Sequence, residues 1–148
     1  MMRKVILIFA LLLGAACQST STGVEGGVLA KGRWGGNDAG VIITDSVTHV
    51  HIGCTYGDFP AAVPVDERGR FRVSGSYLRR AYPVAMGPLL PAEFTGTING
   101  SSMTYTVVVT DTVENEVVTL GPTTVTLGKE PRMGPCPICH TPRVRSAI

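Results

Sequence analysis

The sequence holds no apolar stretch long enough to cross a bilayer as a helix. Its longest apolar run, Val5 to Leu13, is about nine residues, against the roughly 20 that a spanning helix needs. An excess of positive charge is missing as well. Of the 13 Lys and Arg residues, Arg3 and Lys4 precede the apolar run, and the remaining 11 balance the 11 Asp and Glu. Without a basic field there is no footprint for nucleic acid. Local hydrolase signatures are absent, with neither G-x-S-x-G nor H-E-x-x-H in the chain. No segment carries a convincing helical period. Gly (18) and Pro (10) are frequent instead, and Thr and Val dominate the middle. That composition belongs to a β-rich, turn-rich chain, and 148 residues bound it to one domain.

The N-terminus has the parts of an export signal: Arg3 and Lys4, the apolar run, then Gly14-Ala15-Ala16-Cys17. Small residues before a cysteine resemble the lipobox of bacterial lipoproteins, in which that cysteine is lipidated and becomes the new N-terminus. The resemblance implies lipidation of Cys17, with Gly14 standing where that family usually has Leu. The alternative is a secretory signal cut after Ala16 that carries Cys17 into a soluble product. Gln18 after the cysteine resembles an outer-membrane address. The expected organisation is a signal peptide over 1–16, a flexible Gly-rich tether over 17–30, a β-domain over 31–131, and a Pro-rich, Cys-containing tail over 132–148. The expected location is the cell envelope, lipid-anchored at the outer membrane and facing the periplasm.

Within the β-domain, period-2 alternation marks strands. Gly40 to Thr44 is a β-branched run. Thr48 to Cys54 places Val50, Ile52 and Cys54 on a core face, with His49 and His51 opposite. Ala61 to Val65, flanked by Pro60 and Pro64, reads as an edge segment. Arg70 to Leu78 turns Phe71, Val73 and Tyr77 inward. Arg79 to Pro91 is a Pro-rich excursion loop. Asn99-Gly100 signals a hairpin between Ala92–Ile98 and Met103–Val109. A last pair, Glu116–Leu120 and Thr123–Leu127, is expected around Gly121-Pro122. Trp34, the single tryptophan, reads as a plug at one end of the core. The prediction is an all-β fold. It takes the form of a small antiparallel up-and-down barrel, lipocalin-like with about seven or eight strands, or alternatively a two-sheet sandwich.

The segment Trp34 to Cys136 also resembles a set of small bacterial envelope lipoproteins with all-β domains. The residues that carry this are the Gly32-Arg33-Trp34-Gly35-Gly36 opening and Cys54 in His51-Ile52-Gly53-Cys54. Beyond them lie Pro91-Ala92-Glu93-Phe94-Thr95-Gly96, the Met103–Val107 strand, and a cysteine after the last strand. The resemblance implies fold and location and lends no mechanism. This chain departs from it after Cys136, where a second cysteine, Cys139, follows.

Few residues offer chemistry. In an oxidising compartment cysteines pair by default, so Cys54 is expected to bridge to Cys136, with Cys139 as the alternative partner. The rival reading is haem: Cys136-Pro137-Ile138-Cys139-His140 is C-x-x-C-H, the attachment pattern for c-type haem, with Met86 or Met133 as a second ligand. A metal is a third option, using His49 and His51 from one strand face with Cys136, Cys139 and His140. The plain alternative leaves His49 and His51 on a solvated face. Arg70 and Arg72 share an outward face and offer a patch for an anionic partner, or simply solubilise it. The expected function is therefore a non-catalytic binding or structural β-domain without a cofactor. It would be held to the membrane through a lipid on Cys17 and would engage an envelope partner or small ligand. The alternative is a c-type haem or metal carrier using Cys136, Cys139 and His140.

Overall fold

The structure, a computed structural model, describes residues 22–81 and 87–136. Cys17, Met86, Cys139 and His140, and with them the signal peptide and most of the tail, lie outside the described residues. In chain order the strands are β1 (Val24–Glu25), β2 (Val28–Leu29), β3 (Gly32–Gly35), β4 (Ala39–Ile43), β5 (Thr48–Ile52), β6 (Thr55–Phe59), β7 (Arg70–Leu78), β8 (Leu90–Asn99), β9 (Ser102–Asp111) and β10 (Glu116–Leu127). There is no helix among the described residues. Strands β3 to β10 close an eight-stranded antiparallel barrel in which sequence neighbours are also spatial neighbours, and β10 returns to pair with β3. The fold is the up-and-down barrel, and the sandwich alternative is not adopted. Closure pairs each of the eight barrel strands with a neighbour on both sides.

Alternation decides which side chains fill the barrel. On β9, Met103, Tyr105, Val107 and Val109 point inward and are fully buried. Phe94 on β8 lies at their centre, its ring 5.3 Å from Phe59, 4.8 Å from Phe71 and 5.2 Å from Tyr105. An eight-stranded barrel has an interior just wide enough for side chains to fill, and here aromatic rings fill it. Burying one such side chain contributes about 1.5–3 kcal/mol.

Trp34 is fully buried and its Nε1–H donates to the Ala30 carbonyl at 3.1 Å. The cover over it is a correction to the expected tether. Over 22–30 the chain is not a free linker: β1 and β2 form a hairpin around Gly26 and Gly27, and Leu29 and Ala30 are buried. The Leu29 N–H donates to the Val63 carbonyl and the Val65 N–H to Gly27. Val63 is likewise fully buried, so Ala61 to Val65 is a plug segment rather than an edge strand. Small, Gly-rich sequence reads alike for a tether and for a tight hairpin, and the apolar Val28-Leu29-Ala30 is what tips the balance toward burial.

Two further expectations shift. The anticipated final pair is one strand, β10, whose register slips between Leu120 and Thr123. Pro122 lacks the N–H that a ladder needs, so the strand bulges there and continues from β9 toward β3. The β8–β9 turn is centred on Gly100 and Ser101 rather than on Asn99 and Gly100, because Asn99 still pairs with Ser102. Gly100 takes the positive φ of 59° that the first central position of a type II′ turn requires.

Candidate functional site

The outer wall built by β3, β4, β5 and β6 carries the most chemistry. Cross-strand register lines up two rows of outward residues. Ile42, His49 and Asp58 form one row, and Gly40, His51 and Tyr56 the other. His49 Nδ1 lies 2.6 Å from Asp58 Oδ1, and His49 Nε2 lies 2.9 Å from His51 Nε2. Tyr56 packs against both imidazoles, with ring centroids 5.6 Å and 5.4 Å away.

These contacts fix the protons. A carboxylate only accepts, so His49 Nδ1 carries a hydrogen and donates to Asp58. In a neutral ring, His49 Nε2 is then a lone pair and accepts from the His51 Nε2–H. Burial, together with the neighbouring His49, lowers the His51 pKa against the opposing pull of Asp58. His49 faces a second imidazole rather than a hydroxyl or thiol, so the arrangement is not that of a nucleophile activated by a base.

The wall is held from inside. The Tyr105 hydroxyl crosses the core and donates to the His51 carbonyl at 2.7 Å. Tyr77 pairs with the Thr55 hydroxyl at 2.9 Å, and burial pushes its pKa up to about 12. Such internal support keeps the histidine backbone in place.

From outside, the tail locks onto the same wall. Gly35 and Gly40 are register partners facing outward, and a Cβ on either would come within 2.3 Å of the Glu130 backbone or 2.6 Å of Pro131. Only glycine allows the tail so close. Arg33 pairs with both carboxylate oxygens of Glu130. The Arg132 N–H donates to Gly36, and the Asp38 N–H donates to the Arg132 carbonyl. The segment ends at Cys136, whose sulfur is bonded to Cys54 with Cα atoms 5.5 Å apart. A surface groove of about 380 Å³ remains between tail and wall, lined by Arg33, Ile42, His51, Pro131 and Met133 among others.

Several expectations take a definite place here. Cys54 is not at a core-facing strand position. It is the second residue of the two-residue β5–β6 turn, after Gly53 at φ 56°, because alternation stops at Ile52 where glycine permits the turn. Its partner is Cys136 rather than Cys139. That bond engages one of the two sulfurs through which C-x-x-C-H would attach a haem. His49 and His51 are half-buried and paired rather than merely solvated. Asp58 and Tyr56 were missed, yet a two-residue turn at Gly53-Cys54 sets them opposite His49 and His51, so the turn glycine was the available signal. Arg70 and Arg72 do share the outward face of β7, each beside a carboxylate. Arg70 pairs with Asp66 and Arg72 with Glu93, while Arg79 and Arg80 both reach the buried Asp111 at the other end of the barrel. These cations are neutralised locally.

Comparison with family models, curated proteins and solved structures returned no match to this chain.

Proposed function

We propose that this is a lipid-anchored envelope protein in which Cys17 carries the lipid and the barrel is a non-catalytic binding and structural module. The working surface in this reading is the outer wall, since aromatic side chains occupy the interior. The observation that carries the reading is the Cys54–Cys136 bond. Such a bridge persists in an oxidising compartment outside the cytoplasm, the destination that the Arg3 to Cys17 leader implies. Lipid chains anchor by burial of methylenes, about 0.8 kcal/mol each, so no protein segment need insert.

The test is membrane fractionation with metabolic acyl labelling of the full chain and of Cys17→Ser. Label is expected in the wild type and in the membrane pellet, and both label and sedimentation are expected to vanish in Cys17→Ser. A Cys17→Ser chain that stays in the pellet overturns the anchor.

A further inference from the structure

We infer that His49 and His51 form a transition-metal site on the outer wall, with Asp58 as the positioning residue, and that its donor chemistry suits copper. Two imidazole nitrogens converge at 2.9 Å on one barrel face. Metal–nitrogen bonds of about 2.0–2.1 Å set cis nitrogens about 2.9 Å apart in the square-planar array that Cu²⁺ favours and about 3.3 Å apart in a tetrahedral one. The two nitrogens now face each other through a hydrogen bond, and a small side-chain rotation on a rigid strand turns both toward a common ion. On binding, the hydrogen now between the rings passes by way of solvent from His51 Nε2 to its own Nδ1, so both Nε2 lone pairs face the ion and no net proton is released.

The surroundings are those of a ligand pair rather than of a packing pair. The 2.6 Å contact of Asp58 with His49 Nδ1 fixes the ring with Nε2 outward, the carboxylate–histidine arrangement that orients and strengthens metal-bound imidazoles. His51 opens into the groove that Met133 also lines, and Met133 is 43% exposed. No third His, Cys, Asp or Glu completes a ligand set with the pair among the described residues, so the remaining positions are open to water. Imidazole is a donor suited to copper, and copper(II) stands above zinc in intrinsic affinity. A site with two protein nitrogens and open positions exchanges its ion readily, as a carrier or sensor does and a structural zinc site does not.

The inference does not depend on the lipid anchor, because it is measured on protein in detergent solution whatever holds it to a membrane. The full chain is titrated with Cu²⁺ under conditions that keep the Cys54–Cys136 bond intact, using Zn²⁺ as comparison. Electron paramagnetic resonance reports coordinated nitrogen, and circular dichroism confirms that each variant is folded. One equivalent of Cu²⁺ with two imidazole nitrogens is expected. Folded His49→Ala and His51→Ala should each lose saturable binding, and Asp58→Asn should bind roughly 10–100-fold more weakly. A Cys139→Ser/His140→Ala variant should keep the site. Absence of binding by the wild type, full binding by His49→Ala or His51→Ala, or loss of the site in the tail variant each overturns the assignment.

Discussion

Removal of the Cys54–Cys136 bond tests how far the tail belongs to the barrel. The two cysteines are 82 residues apart. In the chain-entropy model a closed loop of that size confers about 4.5 kcal/mol at 25 °C by restricting the unfolded chain. For a domain of this size that corresponds to roughly 15 °C in Tm. Cys54→Ser is the informative variant, because it abolishes pairing with both Cys136 and Cys139. Urea unfolding of oxidised wild type and Cys54→Ser should differ by several kcal/mol. Reduced wild type should match the variant. Cys136→Ser adds a second arm: should Cys139 replace Cys136 as the partner of Cys54, the loop would lengthen by only three residues and most of the stability would return. A loss of that size requires tail docking and barrel folding to be one cooperative event, held by the Arg132–Gly36 and Arg132–Asp38 backbone bonds and the Arg33–Glu130 pair. A loss below about 1 kcal/mol in Cys54→Ser would refute that, and the tail would then be an independently opening strap.

Other outcomes follow from particular contacts. Phe94→Ala removes the ring that touches Phe59, Phe71 and Tyr105, and should cost about 3–5 kcal/mol in chemical denaturation. Gly40→Ala sets a Cβ 2.6 Å from Pro131; it should leave the barrel's circular dichroism unchanged while speeding reduction of Cys54–Cys136, read by thiol alkylation. The Asp111 carboxyl is pushed up by burial, but the N–H groups of Glu114 and Val113 and the guanidinium groups of Arg79 and Arg80 outweigh this and hold it at about 2. Its folded value lies below its ordinary one, so its contribution is present above pH 3.8 and is lost as pH falls toward 2. Wild type should therefore lose stability more steeply across that interval than Asp111→Asn, measured by thermal melts at fixed ionic strength.

Barrel strands were legible where one face is buried and the other wet. The inward set Phe71, Phe94, Met103 and Tyr105 follows from period 2, since a one-residue slip would expose all of it. Trp34 was legible for a similar reason, because a lone large indole among glycines has few stable places except a core. Less legible were segments whose composition fits two states. Gln18 to Ala30 has the small residues of a linker and of a tight hairpin alike, and only the Val63 segment, more than 30 residues on, decides between them. Gly121-Pro122 reads as a turn locally, whereas the demands of barrel closure make it a bulge. At the candidate site His49 and His51 were visible as an i, i+2 pair. Asp58 was not, because it faces His49 only once the Gly53-Cys54 turn folds β6 back on β5.

The sequence by itself determined the class of fold and the residues able to do chemistry. Alternation, turn glycines and the leader are local properties, readable without knowing what lies across the barrel. Tertiary structure alone decided which of those residues meet. Register placed Asp58 beside His49. The glycine pair at Gly35 and Gly40 let the tail approach, and the tail chose Cys136 over Cys139. These are contacts between segments far apart in the chain, set by barrel closure and by which backbone surfaces lack a Cβ, and no local pattern encodes them.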